Sequence, residues 1–150
     1  MTPDSSFSLF SQLALVGWIL LVAGVLLRLA WLADAVAGRL IPFVLGVVYV
    51  VLVIKFWATA QGGFSSLQGV KSLFQSDWLL LAGWVHYLAF DLFVGAWIAR
   101  TTVQSQLSRL VLVPILPLTF LFGPAGFVAF ELTRRIAVLS LWRTRATKEN

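Results

Sequence analysis

Asp91 sits in the middle of the apolar run Ala89-Phe90-Asp91-Leu92-Phe93, and His86, five residues before it, is the single histidine of the chain. A carboxyl group and an imidazole are the side chains best suited to moving protons near neutral pH. A carboxyl group in apolar surroundings is either ionised beside a basic partner or held neutral by burial. Arg28, at the end of the first apolar stretch, is the candidate counter-charge. On one α-helix Asp91 and His86 point roughly 140° apart and are ~7.5 Å apart along the axis, so they form no dyad on one face. Trp84, Tyr87 and Asp91 share one stripe; His86, Phe90, Phe93 and Trp97 share another. The plainer alternatives are an inter-helix hydrogen bond for Asp91 and a packing role for His86.

The elements that would position these groups follow from composition. Of 150 residues, 60% are apolar and 11% charged, against about 45–50% and about 25% in soluble domains; mean hydropathy is +0.94. The net charge of +5 reflects scarce acids, which excludes a solvated basic face for nucleic acid and points to membrane placement. A crossing helix needs roughly 20 apolar residues. Four segments qualify, at about 8–29, 41–60, 78–99 and 110–131, with Pro42 expected in the first turn of the second. The expected fold is all-α: a four-helix transmembrane bundle forming a single domain over 1–150. Between the second and third crossings, residues 60–77 carry Phe64, Leu67, Val70, Leu73 and Phe74 at helical spacing, which predicts a short amphipathic interfacial segment. The tail 142–150 is polar, basic and expected to fray.

Four crossings put both termini on one side. That side holds Lys55, Lys71, Arg134, Arg135, Arg143, Arg145 and Lys148, against Arg28, Arg39, Arg100 and Arg109 opposite. Basic loops stay cytoplasmic, so both termini are expected there. Lys55 is expected to snorkel to the interface, and Asp77 and Glu131 lie at a similar depth.

The fourth crossing carries Pro114, Pro117 and Gly123-Pro124-Ala125-Gly126. Interior prolines remove backbone donors, and the small residues predict a kink with close approach by another helix or a ligand. One histidine and no cysteine cannot supply a zinc site or two haem ligands, so no metal and no cofactor are expected. No phosphate-binding loop or nucleophile elbow is present. An enzyme of this kind would act on something dissolved in lipid.

The run from Gly83 to Trp97, with Trp84, His86 and Asp91, followed by Leu118-Thr119-Phe120-Leu121-Phe122-Gly123-Pro124-Ala125-Gly126, resembles the abscisic-acid-deficient 4-like family. The resemblance spans essentially the whole chain. Plant members are plastid membrane proteins needed to make neoxanthin from violaxanthin. Thr101-Thr102 and Leu107-Ser108-Arg109 depart from the family pattern, which more often has an acidic residue and a histidine there. With no transit peptide before the first crossing, the expectation is a bacterial-type member in the inner membrane.

The resemblance implies isomerisation of an epoxy-carotenoid or related isoprenoid, with Asp91 as acid and His86 as base. Trp84, Tyr87, Phe90, Phe93 and Trp97, with Gly123 and Pro124, would line the substrate's path. The alternative is a non-enzymatic carotenoid- or lipid-binding accessory subunit. Expected partners are membrane lipid and a hydrophobic isoprenoid or carotenoid, with a homo-oligomer left open.

Overall fold

The computed structural model describes the backbone of residues 1–146 and contains no strand among them. Among the described residues, four helices are long and apolar enough to cross a membrane: Pro3–Leu26, Leu32–Thr59, Asp77–Gln104 and Arg109–Ala137. This all-α pattern is consistent with an integral membrane protein. The chain clusters into two compact units, Met1–Phe93 and a second beginning at Val94.

In the first unit, helix α1 (Pro3–Leu26) starts at a capping box in which Thr2 and Ser5 bond reciprocally. It ends where Leu29 N donates to the Gly24 carbonyl and Arg28 takes φ +59°. That is a Schellman reversal with a non-glycine residue in the left-handed region, a conformation that costs about 1–2 kcal/mol. The next element follows at once. A Cβ added at Gly24 would lie 2.7 Å from Ala33 N, so only glycine lets the chain double back this tightly.

That next element departs from expectation. The second crossing begins at Leu32 with a nine-residue π-helical segment, Leu32–Leu40, which continues into α2 (Ile41–Phe56). Its wide ladder is visible where Ile41 N donates to the Val36 carbonyl, five residues back. Pro42 does sit in the first turn of α2, as expected, but because α2 continues the π-helical segment it also lies inside a continuous crossing. A proline ring collides with the carbonyl four residues earlier in an α-helix; widening the preceding turns moves that carbonyl, Gly38's, out of the way.

After a 3-10 turn at Trp57–Thr59, Gly62 takes φ +100° against Gly69, leading to the short helix α3 (Leu67–Leu73), capped by Ser66. Leu73 is buried, Phe64 and Leu67 are exposed, and Phe74 lies against Gly83. The amphipathic segment is thus a single seven-residue helix.

Helix α4 (Asp77–Gln104) runs parallel to α1, with Phe7 on Trp84 and Gly17 on Leu92. It runs antiparallel to α2, with Phe56 stacked on Trp78 and Tyr49 beside His86. Gly17 also touches Ile41, so α1, α2 and α4 meet at one glycine. Between apolar helices in lipid the attraction is van der Waals packing, which small residues at the contact permit.

In the second unit, the end of α4 repeats the left-handed cap, with Gln106 at φ +55° and Leu107 N donating to Thr102's carbonyl. A 3-10 turn, Arg109–Val111, leads into α5 (Leu112–Ala146). Helix α5 is bent at Phe122, whose φ and ψ are −143° and 48°. The expected kink is a corner, and what approaches Gly126 is Thr119 of the same helix. The Thr119 hydroxyl donates to the carbonyl of Ile115. Glu131 pairs with Arg134 at 2.9 Å, while the Lys55 ammonium lies over the Phe56 ring. The expected frayed tail is helical in backbone as far as Ala146; residues 147–150 lie outside the described residues.

Candidate functional site

The stripe carrying Asp91 faces α1. Trp84 donates through Nε1 to Ser11 Oγ at 2.9 Å and stacks on Tyr87, 5.3 Å between ring centres. The Tyr87 and Asp91 side chains are hydrogen-bonded to each other. Asp91 is 7% exposed, and its Oδ2 is buried with no hydrogen-bond partner. No ion pair between Asp91 and Arg28 occurs among the described residues. Gly17 marks the level of Leu92, and Arg28 lies eleven residues further along, roughly 16 Å up the α1 axis. Arg28 is exposed at the left-handed turn.

The other stripe builds an open groove. Its volume is about 770 Å³, within the range of small-molecule sites. One wall is α4, through Ala89, Phe90 and Phe93. The opposite wall is the π-helical segment and the start of α2, through Gly38, Arg39, Phe43 and Gly46. Phe43 and Phe90 are largely uncovered by protein, Phe93 is nearly half uncovered, and Gly46 leaves open space where a side chain would stand. His86 continues the same face one turn away, its ring 4.7 Å from Phe90 and 5.2 Å from Tyr49. On α4, Asp91 points about 100° from Phe90 and about 160° from Phe93. The carboxyl group and the groove are therefore on opposite sides of the helix.

At the groove's end, Arg39 Nη2 donates to Asp34 Oδ2 at 2.7 Å. Of the expected lining residues, the structure brings Phe90 and Phe93 into the groove and sets Trp84 and Tyr87 against the α1-facing side. Trp97 belongs to the second unit, where it packs on Phe127 and Phe130. Gly123 and Pro124 lie there too, at the corner of α5. Sequence reasoning missed Asp34, Arg39, Phe43, Gly46 and Tyr49. Five-residue spacing of opposite charges is an off-face pattern on an α-helix, so only a π-helical reading joins the pair.

Four helices long and apolar enough to cross a membrane, an aromatic groove and a buried carboxyl group define a class of small polytopic all-α proteins. Within it, residues 5–130 match the ABA DEFICIENT 4-like family, and the chain belongs to that family. No curated protein and no solved structure matches the chain.

Proposed function

We propose that this protein binds a carotenoid or related long isoprenoid from within the bilayer and isomerises it, in the manner of neoxanthin synthase. The observation that carries the reading is the open groove lined by Phe43, Phe90 and Phe93. A flat polyene stacks on aromatic faces, and the groove faces the phase in which such molecules dissolve. Opening an epoxide into an allenic alcohol requires a proton on the oxygen and loss of a proton from a chain carbon. No electrons pass to an acceptor, so no redox cofactor is required. His86 shares the groove's face and is the group we assign to both proton events, its neutral imidazole taking the proton from the chain carbon and delivering it to the epoxide oxygen as the carbon–oxygen bond breaks. Asp91, bonded to Tyr87 on the opposite side of the helix, is assigned to positioning α4.

A second reading, a non-enzymatic carotenoid-binding subunit, is favoured by the divergence of Asp91 from the groove. In either reading the protein resides in the bacterial inner membrane with both termini cytoplasmic. The test is pigment carried by protein purified from a carotenoid-producing host. Gly46→Trp meets nothing within 4 Å at its Cβ, so it should fold, fill the groove and purify colourless. A fully pigmented Gly46→Trp protein would remove the groove from consideration. An allenic product that depends on His86 separates the enzyme from the accessory subunit.

A further inference from the structure

Most of the groove is hydrocarbon, yet one of its lining residues, Arg39, is held in an ion pair. Arg39 itself lines the groove and holds Asp34 five residues away on the π-helical segment. At 100° per residue, an α-helix would turn these side chains about 140° apart; the i→i+5 ladder brings them onto one face. Their side chains are 64% and 32% exposed, and a pair this accessible adds little to stability. The π-helical turn therefore presents a polar device at the mouth of an apolar site.

We propose that the Asp34–Arg39 pair recognises a hydroxyl-bearing end group of the molecule in the groove, so that the protein selects oxygen-terminated isoprenoids over hydrocarbon ones. The proposal rests on the isoprenoid reading of the groove. The guanidinium carries five N–H donors, and one is engaged with Asp34 Oδ2. The remaining donors suit an oxygen that accepts, and Asp34 Oδ2, which keeps a lone pair while Oδ1 is buried, suits a group that also donates; a hydroxyl does both. A phosphate is disfavoured, because Asp34 already neutralises the guanidinium and would repel a second anion. Position agrees: the pair lies near the start of its crossing, while Phe43, Gly46, Phe90 and Phe93 extend along the apolar wall. A ligand with one polar end and a long apolar body fits that order.

The experiment uses the full chain in lipid nanodiscs, offered equal amounts of β-carotene and its dihydroxylated counterpart zeaxanthin, with retained pigment quantified by chromatography. Wild-type protein is expected to enrich zeaxanthin about tenfold, the scale of one hydrogen bond to a charged group. Zeaxanthin dimethyl ether, which lacks the hydroxyl proton, should fall toward the β-carotene level. The double variant Asp34→Ala, Arg39→Ala should lose the enrichment, so that its retained zeaxanthin and β-carotene stand in a ratio near one. Equal retention of the two pigments by wild type, or enrichment that survives in the double variant, overturns the anchor and leaves the groove standing. Retention of neither pigment by wild type overturns the isoprenoid reading itself. If the double variant fails to fold, the dimethyl ether comparison on wild type decides alone: retention equal to zeaxanthin's refutes the anchor.

Discussion

Gly126 packs directly on the backbone of Thr119, seven residues earlier in α5: a Cβ added at Gly126 would lie 2.6 Å from Thr119 Cα. The two Cα atoms are therefore within about 4 Å, whereas seven residues of straight helix span about 10.5 Å. On a backbone cylinder of about 2.3 Å radius, such an approach requires the axis to turn through roughly a right angle or more. Pro124 has no N–H to bridge the bend, and Phe122 absorbs it in its backbone angles.

Gly126→Ala should consequently destabilise the protein by about 1–3 kcal/mol or more, because the obstructing atoms are backbone and cannot rotate away. Gly46→Ala, with nothing within 4 Å of its Cβ, should be neutral or stabilising by up to about 1 kcal/mol. Denaturation of both variants in detergent is the check, and a Gly126→Ala protein as stable as wild type would contradict the corner.

The two sides of α4 make separable predictions. Asp91→Asn preserves hydrogen bonding to Tyr87 and should leave bound pigment and its conversion within about twofold. His86→Gln should retain pigment and reduce conversion by about 10²–10⁴-fold, the usual contribution of a general acid or base. Product analysis with both variants tests the assignment; loss of conversion in Asp91→Asn alone would return the chemistry to Asp91.

Ser11 accepts from the Trp84 indole across α1 and α4. Ser11→Ala should cost about 0.5–1.5 kcal/mol. Because Trp84→Phe removes the same bond, the double variant should lose less than the sum of the singles. Additive losses would mean that the bond contributes nothing.

Arg39→Ala should change stability by less than about 1 kcal/mol, since the pair it breaks is largely exposed. Thermal unfolding of that variant shows whether the π-helical segment stands without the ion pair.

What was legible from the amino-acid order is what the bilayer itself dictates. Runs of apolar residues long enough to cross, the anomaly of Asp91, and the division of α4 into a Trp84–Tyr87–Asp91 stripe and a His86–Phe90–Phe93 stripe all follow from length and helical period. Which stripe met which neighbour did not follow. Lipid is as apolar as a helix partner, so residues such as Leu21, fully buried, and Ile19, 59% exposed, look alike in sequence. Small residues at Gly17 and Gly24 gain their meaning only from Leu92 and Ala33 packed against them, and the close approach expected at Gly126 is made by Thr119 of its own helix rather than by another helix or a ligand. The Asp34–Arg39 pair was hidden for a different reason: a change of hydrogen-bond ladder from α to π re-aims side chains five residues apart. Tertiary packing and Pro42 decide that change, and with it the polar mouth of the groove.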